Sequence, residues 1–171
     1  MDAEAAVARA RDAVARAVSE LSAAGAADEA LAEWVQRRRM LGVARRPVLR
    51  PRGRVWRLGT LLLGADGALY AAGTATRVTE PGRPQNLHGS VEERRSQRAA
   101  ALAAGYRVGD VVNHGAIPIV LEASELSDPR AVVALRDGGV SVRWSRTGDP
   151  VPFERYLAER VELLEHPPAG A

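Results

Sequence analysis

The chain has 171 residues, about one domain at roughly 150 residues per domain, and a formal net charge of +3. It holds no Cys, and all 24 of its basic residues are Arg, so there is no Lys. This excludes a disulfide framework, a thiolate nucleophile, cysteine-ligated zinc or iron–sulfur, Schiff-base chemistry, the Walker lysine and any Ser–Lys dyad.

Residues 2–24 read as a helix. Val7, Val14 and Leu21 recur every seven residues, Val18 adds the intermediate step, and Ala3, Ala10 and Ala17 fill the adjoining line. Gly25 stands where the helix should stop. Its alanine-lined seam permits close contact, either with the domain's own sheet or with a second copy of the chain. Asp28 suits an N-cap, and Leu31, Trp34 and Val35 at helical spacing predict a second helix reaching about Met40. The expected organisation is a helical segment over 1–40, an Arg/Pro-rich connector over 41–54 punctuated by Pro47 and Pro51, and an α+β domain over 55–171.

Val55–Leu63 and Ala68–Val78 read as two strands joined at 64–67, a Gly-Ala-Asp-Gly hairpin turn. Trp56, Leu58, Thr60 and Leu62 would share one face, with Arg57, Gly59, Leu61 and Leu63 on the other. A turn-rich loop follows over 79–89. Ser90 and Glu93 then form a capping box for a helix ending near Ala104, with Gly105 as its stop. Val111–Val112 and Ile117–Leu121 are short strands, the second at an edge because Pro118 lacks the ladder donor. Ala131–Arg136 and Val140–Trp144 flank a second hairpin turn, Asp137-Gly-Gly139, with one wet face. The last helix starts near Pro152 and buries Phe153, Leu157, Val161 and Leu164. The fold class is therefore α+β: a largely antiparallel sheet built from two β-hairpins plus short strands, with N-terminal, central and C-terminal helices. No apolar run approaches the ~18 residues of a spanning helix. Charges at Arg9, Arg11, Asp12 and Arg16 interrupt the N-terminal apolar stretch, so it does not read as a signal peptide. The expectation is a cytoplasmic protein without membrane association.

Charge is distributed unevenly. Between Gln36 and Ala65 lie nine Arg (37, 38, 39, 45, 46, 50, 52, 54 and 57) and no acid. Arg37, Arg38, Arg39, Arg45 and Arg46 are the candidate polyanion-binding residues, since each guanidinium offers a bidentate fork to phosphate. The competing reading is a solvated linker whose arginines pair with Glu159, Glu162 and Glu165. Aromatics are 4% of the chain and no nucleic-acid-binding module is evident, so nucleic acid is the less favoured partner. Arg83, Asn86, His88 and Ser90 form a second candidate, for a small anionic ligand, because they lead into a helix N-terminus. His88 and His114 are the candidate catalytic bases, and His114 would need Asp110 or Glu122 beside it. Otherwise His114 is a turn histidine exposed to solvent. The three histidines are too dispersed for a metal site, and no dinucleotide, Walker or nucleophile-elbow pattern calls for a cofactor.

Val55-Trp-Arg-Leu-Gly-Thr-Leu-Leu-Leu-Gly64 with Asp66-Gly-Ala-Leu-Tyr70, and the stretch Tyr156-Leu-Ala-Glu-Arg-Val-Glu-Leu-Leu-Glu-His-Pro-Pro168, resemble a family of small uncharacterised proteins from high-GC Gram-positive bacteria. The resemblance covers the chain from about Trp34, and its motifs are strands, turns and a helix. Some members carry the label glutaminase. The serine-dependent glutaminases need a Ser-x-x-Lys motif and the cysteine amidotransferases a thiolate, and this chain can supply neither. The leading expectation is a non-catalytic protein that binds a partner or small ligand and self-associates as a homodimer through the alanine-lined helix or an exposed strand edge. The second is a small amide-directed hydrolase with a His base, and the third is polyanion binding through 37–57.

Overall fold

The computed structural model describes residues 2–36, 47–80, 89–145 and 147–167. Among them are three helices and ten strands, an α+β protein. The helices are α1 (Ala3–Ala24), α2 (Gly89–Ala103) and α3 (Phe153–Glu165). The strands are β1 (Glu29–Val35), β2 (Val48–Leu58), β3 (Leu61–Gly64), β4 (Leu69–Ala71), β5 (Thr74–Arg77), β6 (Val111–His114), β7 (Ile117–Ile119), β8 (Val133–Arg136), β9 (Gly139–Val142) and β10 (Val151–Pro152). They form two compact units that interleave along the chain. The first comprises Met1–Asp28, Val55–Ala71 and Ile117–Ala171; the second comprises Glu29–Arg54 and Ala72–Ala116.

In the first unit, the Asp2 carboxylate caps α1 by accepting from the Glu4 N–H at 3.1 Å, and Gly25 ends it in the left-handed region. The seam of Ala6, Ala10, Ala13 and Ala17, flanked by Val7, Val14 and Leu21, is buried against α3 and β9. The alanines expected to serve either the chain's own sheet or a second copy are therefore engaged inside the unit. Burying Leu21, Val7 and Val14 contributes about 1.5–3 kcal/mol each, which an isolated helix would lack. α3 presents Phe153, Leu157 and Val161 to the same core as expected, and adds Tyr156.

The stretch 55–63 is not one strand. Gly59, at φ +67°, and Thr60 make a two-residue turn, so β2 and β3 pair as a hairpin with Trp56 opposite Leu63 and Leu58 opposite Leu61. That turn moves Leu61 and Leu63 onto the face of Trp56 and Leu58, where all four join the core. The alternation had placed them on opposite faces. Tyr156 fixes the turn: its hydroxyl accepts from the Thr60 N–H at 2.9 Å and donates to the Leu58 carbonyl at 3.1 Å. β3, β4 and β7 continue antiparallel, and β7 with Pro118 is the edge strand, as the missing N–H requires. The hairpin β8–β9 turns at Asp137-Gly138 as expected, buries Val133, Val140 and Val142, and pairs onward with β10.

In the second unit the predicted helix from Asp28 is instead β1. Ala30, Leu31 and Ala32 are buried in an extended strand that pairs parallel with β6, with Ala30 opposite Val112 and Leu31 opposite Asn113. Helix-favouring alanines are overridden by this ladder, a tertiary contact invisible to local propensity. β5 pairs antiparallel with β6, while β2 begins at Val48 within the stretch read as a connector. α2 starts at Gly89, one residue before the expected cap, and ends at Ala103, with Gly105 at positive φ two residues beyond. Its Ala101 packs with Ala30, Ala32, Leu49, Val78 and Val112. No described helix is long and apolar enough to cross a membrane.

Candidate functional site

β6 carries two polar side chains into the interior of the second unit. Asn113 is fully buried and donates to Glu29 Oε2 at 2.7 Å and to the Ala30 carbonyl at 3.1 Å. His114 leaves the opposite face of the strand, the face of Val112. It is only 4% exposed and belongs to β6, so the solvated turn histidine of the sequence reading is a strand residue in the interior. Gly73 passes so close to the carbonyls of His114 and Gly115 that a Cβ there would collide with both.

The tautomer of His114 follows from its partners. The Trp34 indole N–H, which can only donate, points to Nδ1 at 3.2 Å, with the rings edge-on and 5.6 Å between centroids. Nδ1 is therefore the acceptor and Nε2 carries the proton. Nε2–H donates to Thr76 Oγ1 at 2.9 Å, and the Thr76 hydroxyl donates onward to Gln97 Oε1 at 3.4 Å. Burial pushes the His114 pKa below its ordinary value, so the ring is neutral at pH 7. A neutral imidazole with both nitrogens engaged has no free lone pair to take a proton from substrate. Among the described residues no carboxylate bonds it, and Asp110 instead accepts from the Arg107 N–H at 2.8 Å.

Trp34 and Gln97, the two ends of this chain of hydrogen bonds, also line a cavity of about 820 Å³. Val48 and Leu49 of β2 form one side; α2 contributes Ala99, Ala100 and Ala103, followed by Ala104 just past its end, as the floor, with Glu92, Glu93 and Ser96 nearer its N-terminus. These positions recur at three- and four-residue steps and so share one side of the helix. Along this stretch the lining side chains end at Cβ and leave space that a leucine would occupy. Its volume lies within the range of small-ligand sites, roughly 300–1,000 Å³.

The sequence-predicted sites fall largely elsewhere. Arg37, Arg38, Arg39, Arg45 and Arg46, and likewise Arg83, Asn86 and His88, lie outside the described residues. Ser90 lies in the first turn of α2. Of the remaining arginine run, Arg52 pairs with Glu33 at 3.6 Å, and the charge of Arg54 acts on Tyr106. In α3, Glu159 accepts from Arg155 one turn away at 2.8 Å. His166 is exposed at the end of α3, where its backbone N–H, rather than its ring, bonds Glu162. No group of three or more His, Asp or Glu side chains converges to hold a metal among the described residues.

Sequence reasoning missed Trp34, Thr76, Gln97 and Asn113. The signal for Trp34 was its alternation with Ala30 and Ala32, and the signal for the cavity was the alanine-rich stretch over 99–104. Comparison of the chain with protein-family models, with curated proteins and with solved structures finds no match.

Proposed function

We propose that the protein is a non-catalytic binding module whose second unit holds a small ligand with an apolar body in the hollow between α2, β1 and β2. The observation that carries this reading is the pairing of an alanine-floored cavity with a histidine whose two nitrogens are already engaged. The apolar floor provides burial, while Glu92, Glu93, Ser96 and Gln97 provide polar groups that orient a ligand. The hydrolase reading finds no such support at His114, because a general base must reach its proton through a free lone pair. The network around His114 instead holds the Trp34 wall in place.

A thermal-shift screen with a fragment library, repeated on Ala103→Leu, tests the reading. Fragments that raise the melting temperature of the native chain should lose their effect in the variant, whose added side chain occupies the hollow. Fragments that stabilise both proteins equally, or release of ammonia from an amide substrate, would overturn it.

A further inference from the structure

We propose a second site, for a dianionic oxyanion of the phosphate type, on the β8–β9 hairpin of the first unit. The register sets it up. Ala134 pairs with Ser141 and Arg136 with Gly139, while the Arg143 N–H bonds the Val132 carbonyl. Arg136 and Arg143 therefore leave the same face of the hairpin, opposite the face that buries Val133, Val140 and Val142. The pair between them on that face, Ala134 and Ser141, carries only small side chains.

Both guanidiniums converge on one atom. Arg143 Nη2 donates to the Pro129 carbonyl at 2.9 Å, and Arg136 Nη2 donates to the same oxygen and, at 3.4 Å, to the Ala131 carbonyl. That oxygen is presented by a turn in which Asp128 Oδ1 already accepts from the Arg130 N–H at 2.8 Å. Two positive charges are thus held side by side on a neutral carbonyl, and among the described residues neither arginine has a carboxylate partner within ion-pair distance. Arg136 Nη1 and Arg143 Nε are buried without an acceptor among the described residues. Buried donors are rarely left so, and two adjacent cations repel unless an anion joins them. A phosphate group answers both needs, with nearly two negative charges and three or more acceptor oxygens for guanidinium forks. Arg130, exposed on the same turn, adds a third positive charge nearby.

Titration of the full chain with inorganic phosphate, followed by calorimetry at constant ionic strength with chloride as the balancing anion, tests the site. Saturable 1:1 binding with a dissociation constant on the order of 1 mM is expected, weakened at least about tenfold by Arg136→Gln or by Arg143→Gln. Binding should be unchanged in Arg155→Gln, a surface arginine of α3. Far-UV circular dichroism of each variant without phosphate checks that the fold persists, and either substitution alone suffices for the test. No saturable binding, or binding that survives both substitutions in a folded protein, would overturn the proposal. The second result would assign phosphate affinity to arginines elsewhere in the chain.

Discussion

Replacing Thr76 by Val tests the hydrogen-bond chain around His114 at its centre. The two side chains are nearly the same shape and both favour strands, so β5 itself should be undisturbed. What changes is the loss of Oγ1, which accepts from His114 Nε2 and donates to Gln97 Oε1. Thr76 and His114 are both buried, leaving the imidazole N–H with nothing to bond. An unsatisfied buried donor costs about 1–3 kcal/mol, against which the extra methyl contributes less than about 1 kcal/mol. The net loss should be about 1–2 kcal/mol, or roughly 2–8 °C in melting temperature for a chain of this size. Urea unfolding should show a lower midpoint with an unchanged slope. Combining Thr76→Val with His114→Leu removes the orphaned donor, so the double variant should be less destabilised than the sum of the singles by at least about 0.5 kcal/mol. A Thr76→Val protein as stable as the native chain, or strict additivity in the cycle, would refute the assigned tautomer and the chain built on it.

Acid should weaken the same region. The folded pKa of His114 lies below its ordinary value, so the folded state binds fewer protons than the unfolded one. Its contribution is therefore complete above pH 6.5 and declines as pH falls from there through the folded value, by at most about 1.4 kcal/mol per pH unit. His114→Leu should flatten that part of a stability–pH profile measured by denaturant unfolding. Tyr156→Phe should cost about 1–3 kcal/mol, since the buried Leu58 carbonyl and the Thr60 N–H both lose their partner. Gly59→Ala should cost at least about 1 kcal/mol, because it combines a left-handed backbone with a Cβ that meets the Tyr156 hydroxyl. Both are read from thermal unfolding. Arg52→Ala, by contrast, removes an exposed ion pair with Glu33 and should change stability by no more than about 1 kcal/mol in a urea titration.

The elements legible in the sequence are those whose information is local. α1 is marked by a heptad of apolar residues and by Gly25, α3 by its stripe beginning at Phe153, and β7 as an edge by Pro118. β1 was misread because Leu31, Trp34 and Val35 fit helical spacing while Ala30, Ala32 and Trp34 fit strand alternation. The ladder that decides the matter comes from β6, some 80 residues later. The turn at Gly59-Thr60 was hidden because leucines on both sides extend an apparently unbroken strand. Of the candidate site, only His114 was singled out beforehand, and in the wrong environment. Its burial depends on α2, β1 and β5 packing around β6, and no window along the chain contains those contacts.

The interleaving of the two units bears on the order in which the polypeptide can acquire structure. α1 finds its packing partner in α3, about 130 residues further along. During synthesis its alanine seam must therefore wait, uncovered, until most of the chain has emerged from the ribosome. Nearly everything the second unit needs is translated in that interval. High sequence separation slows folding and prolongs exposure of apolar surface, and the α1–α3 contact carries that cost in the first unit.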